Sequence, residues 1–118
     1  MAARGVLMSI AFDQRDGFIW MNGEMVPWAE TKVHVLTHGL HYGSSVFEGE
    51  RAYNGTIFKL REHTERLFYS GRELGFDLPY SVEEIDEACI KTLEANGLTD
   101  GYIRPVAWRG SEMMGVSA

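Results

Sequence analysis

Three histidines, His34, His38 and His41, stand at positions i, i+4 and i+7. On one face of a helix that spacing would bring three imidazoles together, as a metal site requires. The local sequence argues against it, because Lys32-Val33-His34-Val35-Leu36 is strand-like and Gly39 and Gly43 interrupt a helix. No cysteine lies near and no His-Glu-x-x-His pattern appears, so no metal is expected and the imidazoles read as bonding to backbone or turning a loop. Arg104 is the second candidate. In the run from Gly101 to Arg109, alternation places Tyr102, Arg104, Val106 and Trp108 on one strand face and Ile103, Pro105, Ala107 and Arg109 on the other. A guanidinium among aromatic and aliphatic neighbours suits a substrate carboxylate or phosphate, or else a structural ion pair with one of the 17 acidic residues. The run from Val46 likewise sets Phe47, Gly49, Arg51 and Tyr53 opposite Val46, Glu48, Glu50 and Ala52. A glycine inside a strand marks a bulge or a close approach by a ligand or another backbone, and Phe47 beside it could wall an apolar pocket.

Other chemistries are not indicated. There is no glycine-rich phosphate loop and no Gly-x-Ser-x-Gly elbow. Lys32, Lys59 and Lys91 each stand beside residues that read as strand or helix surface, so none is marked as a buried Schiff-base former. A formal net charge of −6 argues against nucleic acid or an anionic membrane as partner. Cys89 is the only cysteine, which rules out an intrachain disulfide and fits a reducing, cytoplasmic setting. The composition, 45% hydrophobic and 24% charged over 118 residues, is that of a soluble domain with a real core and no spanning apolar run. The stretch from Gly5 to Phe12 is too short and too interrupted for a signal-peptide core.

These side chains need a scaffold, and its elements follow from local pattern. Residues 1–17 lack periodicity and read as a leader. Residues 18–21 and 24–26 flank Asn22-Gly23, the pair that most readily turns a type I′ hairpin, and Pro27 ends the second strand. Asn54-Gly55 predicts a second hairpin between residues 45–53 and 56–60, so the sheet should be mainly antiparallel. Residues 61–74 predict a helix whose apolar stripe is Leu60, Thr64, Leu67, Phe68, Gly71 and Leu74, stopped by a left-handed Gly75. Ser81 and Glu84 form a capping box that opens a second helix, with Val82, Ile85, Ala88, Cys89, Thr92 and Leu93 as its stripe and Asn96-Gly97 as its close. Pro105 places the strand 101–109 at an edge or at a break in the ladder. The order predicts an α+β fold over residues 18–109, a two-layer sandwich with helices on one face of a mainly antiparallel sheet. Residues 110–118, rich in glycine and methionine, read as a loop that begins an interdomain connection or a binding lid.

Several runs also carry a resemblance. They are Trp20-Met21-Asn22-Gly23-Glu24, then Lys32-Val33-His34-Val35 leading to His41-Tyr42-Gly43-Ser44-Ser45-Val46-Phe47-Glu48-Gly49, then Glu62-His63-Thr64-Glu65-Arg66-Leu67 and Tyr102-Ile103-Arg104-Pro105. In this order and spacing the chain resembles the N-terminal domain of class IV, fold-type IV aminotransferases, over about residues 18–118. The Tyr-Ile-Arg-Pro pattern and the Met113-Met114-Gly115-Val116 loop look like the branched-chain amino acid group, with D-amino acid transaminases and aminodeoxychorismate lyases as alternatives. The resemblance implies pyridoxal 5'-phosphate as cofactor, with Arg66 on its phosphate; by helical geometry alone Arg66 would read as solvated surface. It implies that Phe47 and Gly49 line the substrate side-chain pocket and that Tyr102 and Arg104 handle the substrate carboxylate. Tyr42 and Val116 would reach the active site of the other subunit of a homodimer.

The implied reaction transfers the amino group of leucine, isoleucine or valine to 2-oxoglutarate, in keeping with the apolar Phe47 and Val116. The Schiff-base lysine of the family belongs to a C-terminal domain that does not fall within these 118 residues. The chain alone is therefore expected to be inactive, and no catalytic residue is assigned in it. Glu50 departs from the pattern, an aliphatic residue being common before Arg51. Two readings of another class stand beside this one: a metal-binding module using the histidines, and a non-catalytic interaction domain exposing the methionine-rich tail.

Overall fold

Asn22 and Asn54 both adopt a positive φ of 51°, each followed by a glycine in the same region, at 95° for Gly23 and 81° for Gly55. Both expected hairpins therefore form, because asparagine tolerates the left-handed region and glycine occupies it freely. The computed structural model describes residues 11–111, which divide into two units, 11–32 and 33–111. In the first, strand β1 (Phe18–Met21) pairs antiparallel with β2 (Glu24–Pro27), with Ile19 opposite Val26 and Trp20 opposite Met25. Trp28 donates from its indole Nε1 to the Phe12 carbonyl at 2.7 Å and stacks on the Phe12 ring with centroids 6.2 Å apart.

The second unit carries a short helix α1 (His38–Tyr42), strands β3 (Ser45–Phe47), β4 (Glu50–Tyr53) and β5 (Thr56–Ile57), helices α2 (Leu60–Glu73) and α3 (Val82–Ala95), and strands β6 (Gly101–Ile103) and β7 (Val106–Trp108). β3 pairs with β7, and β5, β4 and β6 lie in that order, all antiparallel. The single strand expected over 45–53 is thus two, broken at Glu48-Gly49, and its partner is broken at Arg104-Pro105. Pro105 has no N–H to give a ladder, yet its carbonyl accepts from the Glu48 N–H at 3.0 Å. That bond joins the ladders end to end, with Phe47 opposite Val106 on one side and Glu50 opposite Ile103 on the other. β5 is shorter than expected because Lys59, at φ 58°, turns the chain into α2. Residues 32–36 form no strand; a turn closes there as the Thr37 N–H donates to the His34 carbonyl at 3.0 Å.

Alternation along β4 turns Glu50 and Ala52 inward, with Glu48 buried at the break before them, and β6 contributes Ile103. Thr64, Leu67 and Gly71 of α2 and Ile85, Ala88, Cys89 and Leu93 of α3 pack against them, and Ile57, Thr37 and His38 are buried as well. Leu74, expected on the stripe, is exposed because α2 ends one residue before it. The Ser81 hydroxyl accepts from the Glu84 N–H at 3.1 Å, and the Glu84 carboxylate accepts from the Ser81 N–H at 2.8 Å, so the capping box forms as expected. The result is the expected α+β fold, both long helices lying on one face of an antiparallel sheet. Among the described residues no helix is long and apolar enough to cross a membrane.

Candidate functional site

The outward face of the sheet collects four of the residues picked out in the sequence. Phe47 ends β3 and Gly49 lies in the break after it, while Tyr102 and Arg104 come from β6 and the facing break. The Arg104 guanidinium stacks over the Phe47 ring at 3.7 Å and its Nη1 donates to the Tyr102 hydroxyl at 3.4 Å. Gly49 is where Tyr102 crosses: a Cβ added there would stand 2.7 Å from the Tyr102 hydroxyl and 2.9 Å from a ring carbon. The close approach expected at this glycine is therefore made by a tyrosine side chain. Among the described residues no carboxylate pairs with Arg104, so the structural ion pair gives way to an exposed guanidinium held flat by an aromatic ring. Most of its donors are left for an anion.

Arg66 reaches the same break from the inward face. Its Nε and Nη2 each donate to the Glu48 carboxylate at 2.8 Å, a two-point fork. His63, one turn earlier on α2, brings Nδ1 within 2.7 Å of Glu48 Oε1. The Arg66 fork holds the Glu48 carboxyl below the usual carboxylate range in spite of its burial. Although its partner is buried, the Arg66 side chain is 66% exposed. An open depression beside it is lined by Phe58, Lys59, Glu62, His63 and Arg66.

Tyr42 is exposed at the end of α1, its ring 4.6 Å from that of His38 and 6.4 Å from that of His41. Val116 lies outside the described residues. The three spaced histidines each take a local partner: the His34 Nδ1 accepts from the Leu36 N–H at 3.0 Å, His38 Nδ1 meets the Ser44 hydroxyl at 2.7 Å, and His41 Nε2 donates to the Val35 carbonyl at 2.7 Å. Among the described residues no group of three potential metal ligands converges.

The sequence profile of the family described as amino-transferase class IV matches residues 45–118, more than half of the chain. The chain belongs to the class IV aminotransferases. It is 57% identical over 99 residues to a probable branched-chain-amino-acid aminotransferase of Rickettsia bellii, an alignment covering 84% of this chain and 34% of that protein. Its fold is similar to that of the Escherichia coli branched-chain amino acid aminotransferase, with a TM-score of 0.82 and 45% identity over 87% of this chain and 36% of that one. The branched-chain amino acid aminotransferase of Thermobaculum terrenum, solved in its PLP form, gives 0.70 and 30% over 85% and 36%. This class IV aminotransferase chain thus spans about a third of the length of the relatives it matches.

Two members of this cluster were missed by sequence reasoning, Glu48 and His63. A signal existed for both. An acid on the inward face of an alternating strand must be paired or hold its proton, and His63 and Arg66, three apart on α2, lie on one side of the helix.

Proposed function

We propose that this chain is the N-terminal part of a pyridoxal-phosphate-dependent branched-chain amino acid aminotransferase, which moves the amino group of leucine, isoleucine or valine to 2-oxoglutarate. The observation that carries the reading is the Arg66 guanidinium, gripped along one edge by a buried carboxylate and open along the other. A guanidinium has five N–H donors; Glu48 takes two of them, and the remainder suit a phosphate, with Lys59 and His63 lining the same depression. Bound pyridoxal phosphate supplies the electron sink that makes bonds to the Cα of an amino acid labile. On this reading Arg66 holds the phosphate, Phe47 and Gly49 wall the aliphatic side chain, and Arg104 with the Tyr102 hydroxyl orients the substrate carboxylate. The Phe47 ring beneath Arg104 orients the guanidinium and covers one of its faces. Tyr42 and Val116 face the partner subunit's site in a homodimer, and the enzyme works in the cytoplasm. The lysine that carries the cofactor and the second domain around it are supplied from beyond residues 1–118.

Arg66→Ala and Arg61→Ala compared in the full-length protein test this. Both arginines lie on α2, but Arg61 is tied to Asp86 at 2.6 Å and Glu83 at 3.7 Å. Equilibrium dialysis should show pyridoxal phosphate held roughly tenfold or more weakly by Arg66→Ala, with Arg61→Ala close to wild type. Equal retention by the two variants would remove Arg66 from the phosphate site.

A further inference from the structure

We propose that Glu48 is the positioning residue for Arg66, fixing the guanidinium so that its free edge is presented as a fork to the cofactor phosphate; this rests on the reading of Arg66 given above. Glu48 is itself immobilised. Its side chain is 5% exposed, and its backbone N–H is tied to the Pro105 carbonyl at 3.0 Å, where both strands break. It takes Nε and one Nη2 hydrogen of Arg66. The outer edge, Nη1 and the second Nη2 hydrogen, is left parallel and open, the geometry that binds two phosphate oxygens at once. His63 donates Nδ1–H to the same carboxylate at 2.7 Å, so three donors lock the acid that locks the arginine. An exposed arginine without this clamp would sample many rotamers and lose that freedom only on binding.

Charge and position act in opposite directions here, which makes the proposal decidable. A carboxylate beside a phosphate site cancels one positive charge, so by electrostatics alone its removal should tighten phosphate binding. If Glu48 acts by position, removal should weaken it. The experiment uses the full-length protein stripped of cofactor, with dissociation constants for pyridoxal 5'-phosphate and for pyridoxal, which lacks the phosphate, read from intrinsic fluorescence. Glu48→Gln should raise the constant for pyridoxal phosphate on the order of tenfold, as when other groups that orient a binding side chain are removed, and leave that for pyridoxal unchanged. Adding Glu48→Gln to Arg66→Ala should cause no further loss. Unchanged or tighter pyridoxal phosphate binding, or equal weakening of both ligands, would overturn the positioning role. If Arg66→Ala itself fails to separate the two ligands, the phosphate reading of Arg66 falls; if it separates them and Glu48→Gln does not, only the role of Glu48 falls. Should Glu48→Gln not fold, Glu48→Asp, which keeps the charge but draws the fork back by a methylene, is judged by the same two constants.

Discussion

Glu50 is 1% exposed beneath the sheet, and its carboxyl oxygens have no partner beyond a weak interaction with the Cys89 thiol. Two residues earlier Glu48, equally inward, is satisfied by Arg66 and His63. Burial pushes the Glu50 carboxyl from its ordinary 4.5 up to about 7, while His63 and the Cys89 thiol oppose the shift and Glu48 and Asp86 add to it. Between pH 4.5 and about 7 the folded protein keeps a proton that the unfolded chain has released. Stability therefore falls as pH rises through that window, and the penalty, roughly 3 kcal/mol at most, is complete above it. Glu50→Gln in the full-length protein should flatten the slope and give a higher urea midpoint than wild type at pH 8, with little difference at pH 4.5. An unchanged slope would mean that the carboxyl finds a partner on ionising. Gly49, between the two acids, shows how narrow the site is, because any side chain there would displace the Tyr102 ring.

Helix α3 starts at a capping box that satisfies two backbone groups, one from each side of the cap. Ser81→Ala removes the acceptor for the Glu84 N–H and should lower stability by about 1 kcal/mol, whereas Ser81→Gly should lose only a few tenths. Thermal unfolding of the two variants checks the order, and equal losses would show that the cap is not what holds the first turn. Such elements were legible in the sequence because their causes are local: two Asn-Gly turns, a Ser-x-x-Glu cap and glycine stops at Gly75 and Gly97 all lie within a few residues of what they control. The broken strands were not. Whether Gly49 and Pro105 interrupt one ladder at the same level depends on a register between chain segments more than fifty residues apart. The site divides in the same way. Alternation alone put Tyr102 and Arg104 on one face and Phe47 and Gly49 on another, and the fold brings the two faces together. The Arg66 fork joins a helix to a strand break 18 residues earlier, and helical geometry by itself left that arginine in solvent.

At the scale of the whole molecule the informative surface is residues 33–47. Val33, Val35, Leu36, Leu40, Tyr42 and Phe47 are all exposed there, a concentration of large apolar side chains that soluble proteins ordinarily cover. The homodimer proposed above would place its contact on this stretch, which carries Tyr42 and runs into the β3 edge of the site. Leu40, 64% exposed on α1, tests it most directly. Because Leu40 is little buried within these 118 residues, Leu40→Arg should leave the intrinsic unfolding free energy of the full-length subunit within about 0.5 kcal/mol of wild type where no other part of the polypeptide covers it. At an apolar interface, however, each dimer would have to bury two unpaired charges, and dissociation should follow. Ile90, at 37% exposure on α3, serves as the control, and Ile90→Arg should sediment as wild type does. Sedimentation velocity at micromolar concentration then decides the matter. A shift to monomer in Leu40→Arg alone locates the interface on this stretch, and a dimer that survives the substitution would place the subunit contact elsewhere.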